Sequence, residues 1–327
     1  MRVAINGFGR IGRLFFRQVF EKTDFEIVAI NDLGIKNNLI YLLRYDSVYG
    51  RFDINDKDLE KIIFLQEKDP AKLPWRDLDI DVVIESTGFF DSFLKSNQHI
   101  EAGAKRVVIT APVPREDGQI ATFTPNVGFA SASLSKITSN ASCTTNAAVP
   151  LAAVMAENPG IVKAILNTVH GYTATQGLVD MPSKSDCRRG RAAGINIVPS
   201  STGASKAVEK IIPSLKGKFG GLSLRVPVVS GSIIDFTFVS KRKTAVGEIN
   251  NILKEASLKP EWAGILKITE EPLVSSDILR EPYGSIVDLG FTRVIDGDLV
   301  KVLSWYDNEW GYCAMLIKHV ECLKKYL

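Results

Sequence analysis

Residues 139–146 of this 327-residue chain read SNASCTTN and set one thiol, Cys143, among small hydroxyl and amide side chains. Cysteines that only pack behave as small hydrophobes, whereas reactive ones sit in polar, partly open surroundings that favour the thiolate. A thiolate attacks carbonyl carbon, but a free thiol with a pKa of about 8.5 is mostly protonated at neutral pH, so it needs a base or a cation beside it. The sequence offers three histidines, His99, His170 and His319. His99 falls in a helix before EAGAK and His319 in the C-terminal helix, positions that suit surface or packing roles. His170 ends an apolar strand and opens the polar stretch GYTATQ, a place from which side chains project toward a cleft. Cys143 as nucleophile and His170 as base are therefore the natural pair, although a strand-end histidine can also simply cap or pack. Cys187 shares a loop with arginines, whereas Cys313 and Cys322 read as helix residues. The four cysteines lie far apart, with no metal-ligand spacing and no disulfide framework, so free thiols and no metal are expected.

A second cluster lies near the N-terminus. Gly7-Phe8-Gly9-Arg10-Ile11-Gly12 spells GxGxxG after a strand and at the opening of a helix, and Asp32 follows twenty residues after Gly12 at the end of the next strand. Glycines let the backbone turn tightly against a pyrophosphate, whose charge meets unsatisfied N–H groups and the positive end of the helix dipole. The Asp32 carboxylate can accept from a ribose hydroxyl and repels a 2′-phosphate, so NAD is expected over NADP. The plainer alternative is a tight turn, with Asp32 merely closing a strand.

These residues need a scaffold. In the first half, short β-branched runs alternate with amphipathic helical stretches, the pattern of a parallel sheet flanked by helices. Strands are expected at residues 2–6, 25–31, 81–87, 106–110 and 136–140. The first helix carries Ile11, Leu14, Phe15, Val19 and Phe20 at three- and four-residue spacing. After Cys143 the segments at 163–170, 222–229, 232–239 and 298–306 suggest a mixed, mainly antiparallel sheet with helices on one face. Residues 173–194 are long for a passive connection and form a candidate functional loop. Residues 309–327 read as a helix with Tyr312, Met315, Leu316, Val320, Leu323 and Tyr326 near one face. The expected domains are 1–142, to which the helix at 309–327 returns, and 143–308.

With 45% hydrophobic and 24% charged residues the composition is that of an ordinary globular chain. No apolar run approaches the roughly 20 residues of a spanning helix, and the N-terminus lacks a signal-peptide pattern. A cytoplasmic protein without a membrane partner is the resulting expectation. A net charge of +3 is too mild to argue for nucleic acid and suits anionic small molecules slightly better.

Taken together, NGFGRIGR, ASCTTN, TVHGYTATQ, STGASKAV and SWYDNEWGY resemble the phosphorylating glyceraldehyde-3-phosphate dehydrogenase family over essentially the whole chain. The resemblance implies an α/β fold with a Rossmann-type doubly wound parallel sheet domain, an α+β catalytic domain and a homotetramer. It also implies NAD as cofactor, with glyceraldehyde 3-phosphate and inorganic phosphate as substrates. Cys143 would attack the aldehyde, His170 would take the proton, and the thioester would meet phosphate. By the same resemblance Thr173 and Arg225 lie near the substrate phosphate, Ser142, Thr144, Thr202 and Gly203 near the incoming one, and Arg189 at another anion position. Forked guanidinium groups and hydroxyls suit such anions, though Arg225 taken alone could be an exposed strand charge. Asn308 matches the residue that holds the nicotinamide amide, Thr110 another cofactor contact, and Lys68 stands where an arginine often meets the adenine side.

Departures from the family pattern are Ala147 in place of a common cysteine, Met181-Pro182 in place of Leu-Pro, a shortened region at 51–65, and TFTPN at 122–126. Two other functions remain open on sequence: an erythrose-4-phosphate dehydrogenase, and a non-catalytic dinucleotide- or nucleic-acid-binding protein on the same scaffold. Nothing in the sequence requires nucleic acid.

Overall fold

Runs such as RVAIN and VVIE each carry three consecutive apolar residues, and strands of that kind belong inside a sheet covered on both faces. They become the first unit of the computed structural model, which describes every residue except 21–23, 114–118, 130–134 and 184–185. This unit comprises Met1–Ala141 and Cys313–Leu327. Its strands are β1 (Arg2–Asn6), β2 (Glu26–Asn31), β3 (Tyr45–Asp46), β4 (Gly50–Arg51), β5 (Ile63–Leu65), β6 (Val82–Glu85), β7 (Arg106–Ile109), β8 (Ile120–Thr122) and β9 (Ile137–Ser139). Seven form one sheet in the order β5-β2-β1-β6-β7-β9-β8. Every pairing in it is parallel. The helices are α1 (Arg10–Val19), α2 (Lys36–Arg44), α3 (Asp56–Glu60) and α4 (Phe93–Glu101). Helix α1 buries Leu14, Phe15, Phe16 and Val19, as its spacing requires. The strand order turns back at β1, which opens a crevice at the carboxyl ends of β1, β2 and β6, the usual ligand position in such sheets.

The second unit, Ser142–Tyr312, holds β10 (Ile161–Gly171), β11 (Val198–Ser201), β12 (Phe219–Val226), β13 (Ser232–Ser240), β14 (Leu266–Thr269), β15 (Ser285–Ile295) and β16 (Leu299–Tyr306). Their order is β11-β12-β10-β13-β16-β15-β14. The β10–β12 and β14–β15 pairings are parallel and the rest antiparallel, which makes a mixed, mainly antiparallel sheet. Helices α5 (Cys143–Glu157), α6 (Ala204–Ile211) and α7 (Val246–Ser257) pack on this sheet. Helix α8 (Trp310–Leu323) starts at the end of this unit and continues as part of the first. In it Met315, Leu316, Val320 and Leu323 are buried, whereas Tyr326, beyond its end, is exposed.

Among the described residues, no helix is long and apolar enough to cross a membrane. No group of three or more His, Cys, Asp or Glu among them is placed to hold a metal.

Candidate functional site

Cys143 is the first residue of α5, and Ser142 is its N-cap, accepting from Thr145 N at 3.1 Å. A cap of this kind satisfies an orphan backbone donor, and the helix start favours negative charge on the sulfur. His170 arrives from β10, where alternation turns Leu166, Thr168 and His170 to the buried face and leaves Ile165 exposed. Its Nε2 lies 3.3 Å from Cys143 Sγ. The structure thus brings the expected pair together. His99 and His319 are fully buried, so neither takes the surface position that the sequence left open for them.

Both members of the pair carry perturbed acidities. Cys143 keeps some exposed surface, yet protein crowds it elsewhere, and that burial pushes its thiol up, opposed by the charge of Arg225 and by hydrogen bonds from Thr144. Burial, with Arg225 and Arg189 acting in the same direction, pulls His170 down to about 3. The resting pair is therefore thiol and neutral imidazole. The sequence alone suggested an open, unpacked sulfur; the folded environment restrains its ionisation until the proton has somewhere to go.

Arg225 is the register partner of His170 across the β10–β12 ladder. Its Nη1 stands 2.7 Å from His170 Nδ1 and 3.2 Å from the Gly171 carbonyl. That carbonyl is itself 2.6 Å from Nδ1. A guanidinium only donates and a carbonyl only accepts, so Nδ1 can serve one of them at a time. With its hydrogen on Nδ1, directed at Gly171, the ring presents a lone pair to the sulfur from Nε2. With Nδ1 accepting from Arg225, Nε2 carries the hydrogen instead.

Arg189 donates from Nη2 to Thr175 Oγ1 at 3.0 Å, and Thr175 in turn meets Thr173 Oγ1 at 2.9 Å. The Nε atoms of Arg189 and Arg225 are both buried without a hydrogen-bond partner. Among the described residues neither arginine pairs with a carboxylate, so together with Thr173 they form a cationic site that calls for an anion. Thr202 Oγ1 accepts from Ala204 N at 3.2 Å, and Gly203 caps α6 with open space where a Cβ would stand. Residues 184 and 185 of the loop at 173–194 lie outside the described residues.

Sequence reasoning gave no role to Tyr306. This fully buried residue sits edge-on to His170, with ring centroids 6.0 Å apart. Its hydroxyl meets Thr144 Oγ1 at 2.9 Å and Thr168 Oγ1 at 2.8 Å. The available signal was the period of two in β16, which buries Val300, Val302, Ser304 and Tyr306.

In the first unit a cavity of about 440 Å³ opens at the carboxyl end of the sheet, lined among others by Gly7, Gly9, Asp32, Lys68, Thr87 and Phe90. Gly7 has φ +93°, and a Cβ on it would stand 2.6 Å from Thr87 N; a Cβ on Gly12 would stand 2.2 Å from Gly7 O. Gly9 has nothing within 4 Å of a Cβ position, which leaves room for a ligand. Helix α1 has neither an acidic residue in its first turn nor a capping side chain, so its N-terminal N–H groups suit a pyrophosphate. Asp32 is aimed by two backbone donors, Phe8 N at 2.6 Å and Gly34 N at 2.7 Å. These residues fit NAD.

Arg10, Ile11 and Gly12 form the first turn of α1. The Arg10 side chain is taken up by Asp46 and stacks over Tyr49, which leaves the backbone as its contribution to the cavity side. Thr110 is not brought to the cavity lining; its hydroxyl donates to the Glu85 carbonyl at 3.1 Å. Asn308 belongs to the second unit, where its Oδ1 accepts from Ser232 Oγ at 2.8 Å.

Comparison with known proteins identifies the family of the chain. Residues 1–93 match the family model for the glyceraldehyde 3-phosphate dehydrogenase NAD binding domain, and residues 142–308 match that for the C-terminal domain. The glyceraldehyde-3-phosphate dehydrogenase of Mycolicibacterium smegmatis is 46% identical over 344 aligned positions, covering 100% of this chain and 99% of the relative. That of Mycobacterium bovis is 45% identical with the same coverage. Glyceraldehyde-3-phosphate dehydrogenase 2 of Streptomyces avermitilis is 45% identical over 97% of this chain and 96% of its own length. On these matches, which span both units, the chain belongs to the glyceraldehyde 3-phosphate dehydrogenase family.

Proposed function

We propose that this enzyme oxidises D-glyceraldehyde 3-phosphate to 1,3-bisphosphoglycerate, with inorganic phosphate as co-substrate and NAD as cofactor. The observation that carries the reading is the 3.3 Å contact between Cys143 Sγ and His170 Nε2 at a helix start, with the guanidinium of Arg225, which meets no carboxylate among the described residues, beside it. Thr173, Arg189 and Arg225 hold the substrate phosphate. Ser142, Thr144, Thr202 and Gly203 receive the second phosphate.

In the first step Nε2 of His170 takes the thiol proton as Cys143 Sγ bonds to the aldehyde carbon; the carbonyl pair moves to oxygen, which receives the proton back. Bound NAD supplies the hydride acceptor. As the carbon loses hydride, His170 removes the proton from the oxygen, which leaves a thioester on Cys143. An oxygen of inorganic phosphate then attacks that carbon, the C–S bond breaks, and the departing sulfur recovers a proton from His170. A positioned base of this kind is worth about a hundred- to ten-thousand-fold in rate.

Gly7, Gly9, Gly12 and the N–H groups of Arg10 and Ile11 would take the pyrophosphate. Asp32 would accept from the adenosine ribose, and Lys68 would stand at the adenine side. Asn308 would hold the nicotinamide amide, with Thr110 as a further contact. The catalytic and cofactor domains would be 143–308 and 1–142 with 309–327. Exposed apolar residues on the sheet of the second unit, Val162, Ile165 and Leu222, support assembly as a homotetramer, and a cytoplasmic location suits four free cysteines.

The test is NADH formation from glyceraldehyde 3-phosphate with and without phosphate, with erythrose 4-phosphate as comparison. Phosphate-dependent turnover of the three-carbon aldehyde is expected. Preference for the four-carbon aldehyde, or rates indifferent to phosphate, overturns the assignment.

A further inference from the structure

Beneath the cavity of the first unit lies a buried acid that the reaction above does not use. Glu85 ends β6 with its side chain 1% exposed. Its Oε2 accepts from Asn6 Nδ2 at 2.5 Å and from His99 Nε2 at 3.1 Å; its Oε1 accepts from Thr87 N at 2.9 Å and from Thr87 Oγ1. Trp75 Nε1 donates to His99 Nδ1 at 3.0 Å. An indole N–H can only donate, so Nδ1 accepts and the imidazole hydrogen lies on Nε2, aimed at Glu85. From Asn6 the chain continues, for its Oδ1 accepts from Asn31 Nδ2 at 2.7 Å, and Asn31 Oδ1 accepts from Glu67 N at 2.9 Å.

The network crosses the ends of three neighbouring strands, β2, β1 and β6, and Asn6, Asn31, Glu67 and Thr87 are also part of the cavity lining. Desolvating a carboxylate is costly, and well-packed apolar residues often replace buried charges without loss of stability. What the acid contributes is therefore sought in what it fixes. It holds Thr87 by both N–H and O–H. Thr87 and Ser86 form the wall against which Gly7 must be a glycine, and Ser86 Oγ reaches Gly7 O at 2.7 Å.

We propose that Glu85 is the positioning residue of the dinucleotide site. Its carboxylate, oriented by the Trp75–His99 relay, clamps the turn at residues 86–87 against the glycine turn at Gly7 and so sets the shape that NAD meets. This rests on the reading that the cavity binds NAD.

The test measures NAD dissociation constants by fluorescence, together with kcat and KM, for the wild-type enzyme, Glu85→Gln, Thr87→Val and Thr87→Ser. In Glu85→Gln the amide must turn its NH2 group toward existing donors, and Thr87→Val removes one donor. Unsatisfied buried groups of this kind correspond to about a tenfold loss of NAD affinity. Expected results are weaker NAD binding and a higher KM for NAD in both variants, recovery in Thr87→Ser, and an unchanged rate of Cys143 alkylation without NAD. If Glu85→Gln does not fold, the Thr87 pair decides. Unaltered affinity in the variants, or equal loss in Thr87→Ser and Thr87→Val, overturns the proposal alone. Failure of the wild-type chain to bind NAD overturns the cofactor reading as well.

Discussion

Arg225 Nη1 and His170 Nδ1 are 2.7 Å apart, so a fixed positive charge touches the ring nitrogen remote from the sulfur. That charge helps to hold His170 down to about 3 and, through the same field, lowers the Cys143 thiol against the rise that burial imposes. An anion that draws the guanidinium away frees Nδ1 to bind Gly171 and turns the imidazole lone pair toward Cys143. Substrate phosphate would thus prepare the base as it binds.

Arg225→Gln removes this charge. In the ligand-free enzyme both Cys143 and His170 should then titrate at higher pH, a displacement that the pH profile of Cys143 labelling by iodoacetamide reads. Loss of one partner of a buried charged contact costs about 2–5 kcal/mol, so kcat/KM for glyceraldehyde 3-phosphate should fall at least about thirtyfold. Unphosphorylated glyceraldehyde should lose far less. An unchanged labelling profile in the variant, or equal losses on the two aldehydes, would contradict this role.

Asp32 is aimed by the Phe8 and Gly34 amides rather than by another side chain, so its removal takes an acceptor from those two backbone groups and a partner from no side chain. Asp32→Ala is expected to weaken NAD by about tenfold, the worth of roughly one charge-assisted hydrogen bond, and to improve NADP. Calorimetric titration of both cofactors gives the ratio. A variant that keeps the wild-type preference would assign discrimination to other residues.

How far these features could be read from the chain depended on how local their causes are. The glycine turn, the thiol among small polar residues and the strand-end histidine are each set by residues close in sequence, and all were legible, whereas the helix that Cys143 opens was not read. The strand at Ser285–Ile295 was not, because a register irregularity between Asp288 and Arg293 interrupts its alternation. Strands β5 and β8, three residues each, are too short to carry a period. The acidity of His170 depends on its burial and on Arg225, which is distant in sequence and adjacent only through β-ladder register. Oε2 of Glu85 likewise finds its donors on other elements, at Asn6 and His99.

Acid should destabilise the fold in a defined window. Burial holds His319 down to about 3, as it does His170. In the unfolded chain a histidine takes its proton near pH 6.5, whereas neither of these does so in the fold until about pH 3. Between those values the unfolded state binds more protons, so stability is full above about pH 6.5 and declines as pH falls, by at most about 1.4 kcal/mol per unit per histidine. His319→Gln should reduce the drop in thermal midpoint between about pH 7 and pH 5, whatever its effect at neutral pH. An unchanged drop would show that the imidazole titrates normally in the fold.

Tyr306 tests whether the Cys143–His170 pair depends on its support. The hydroxyl is the common partner of Thr144 and Thr168, and the ring faces His170 edge-on. Tyr306→Phe keeps the ring and leaves two buried threonine hydroxyls short of that partner, which costs about 1–3 kcal/mol for each group left unsatisfied. Thr144 also hydrogen-bonds Cys143 and lowers its thiol, so a freed Thr144 should shift the pH dependence of Cys143 alkylation as well as the unfolding midpoint. A Thr144→Val, Tyr306→Phe double variant separates the two effects. If the hydroxyl acts through Thr144, the alkylation profile of the double variant should match that of Thr144→Val alone. Additive shifts would instead mean that Tyr306 acts on the sulfur independently.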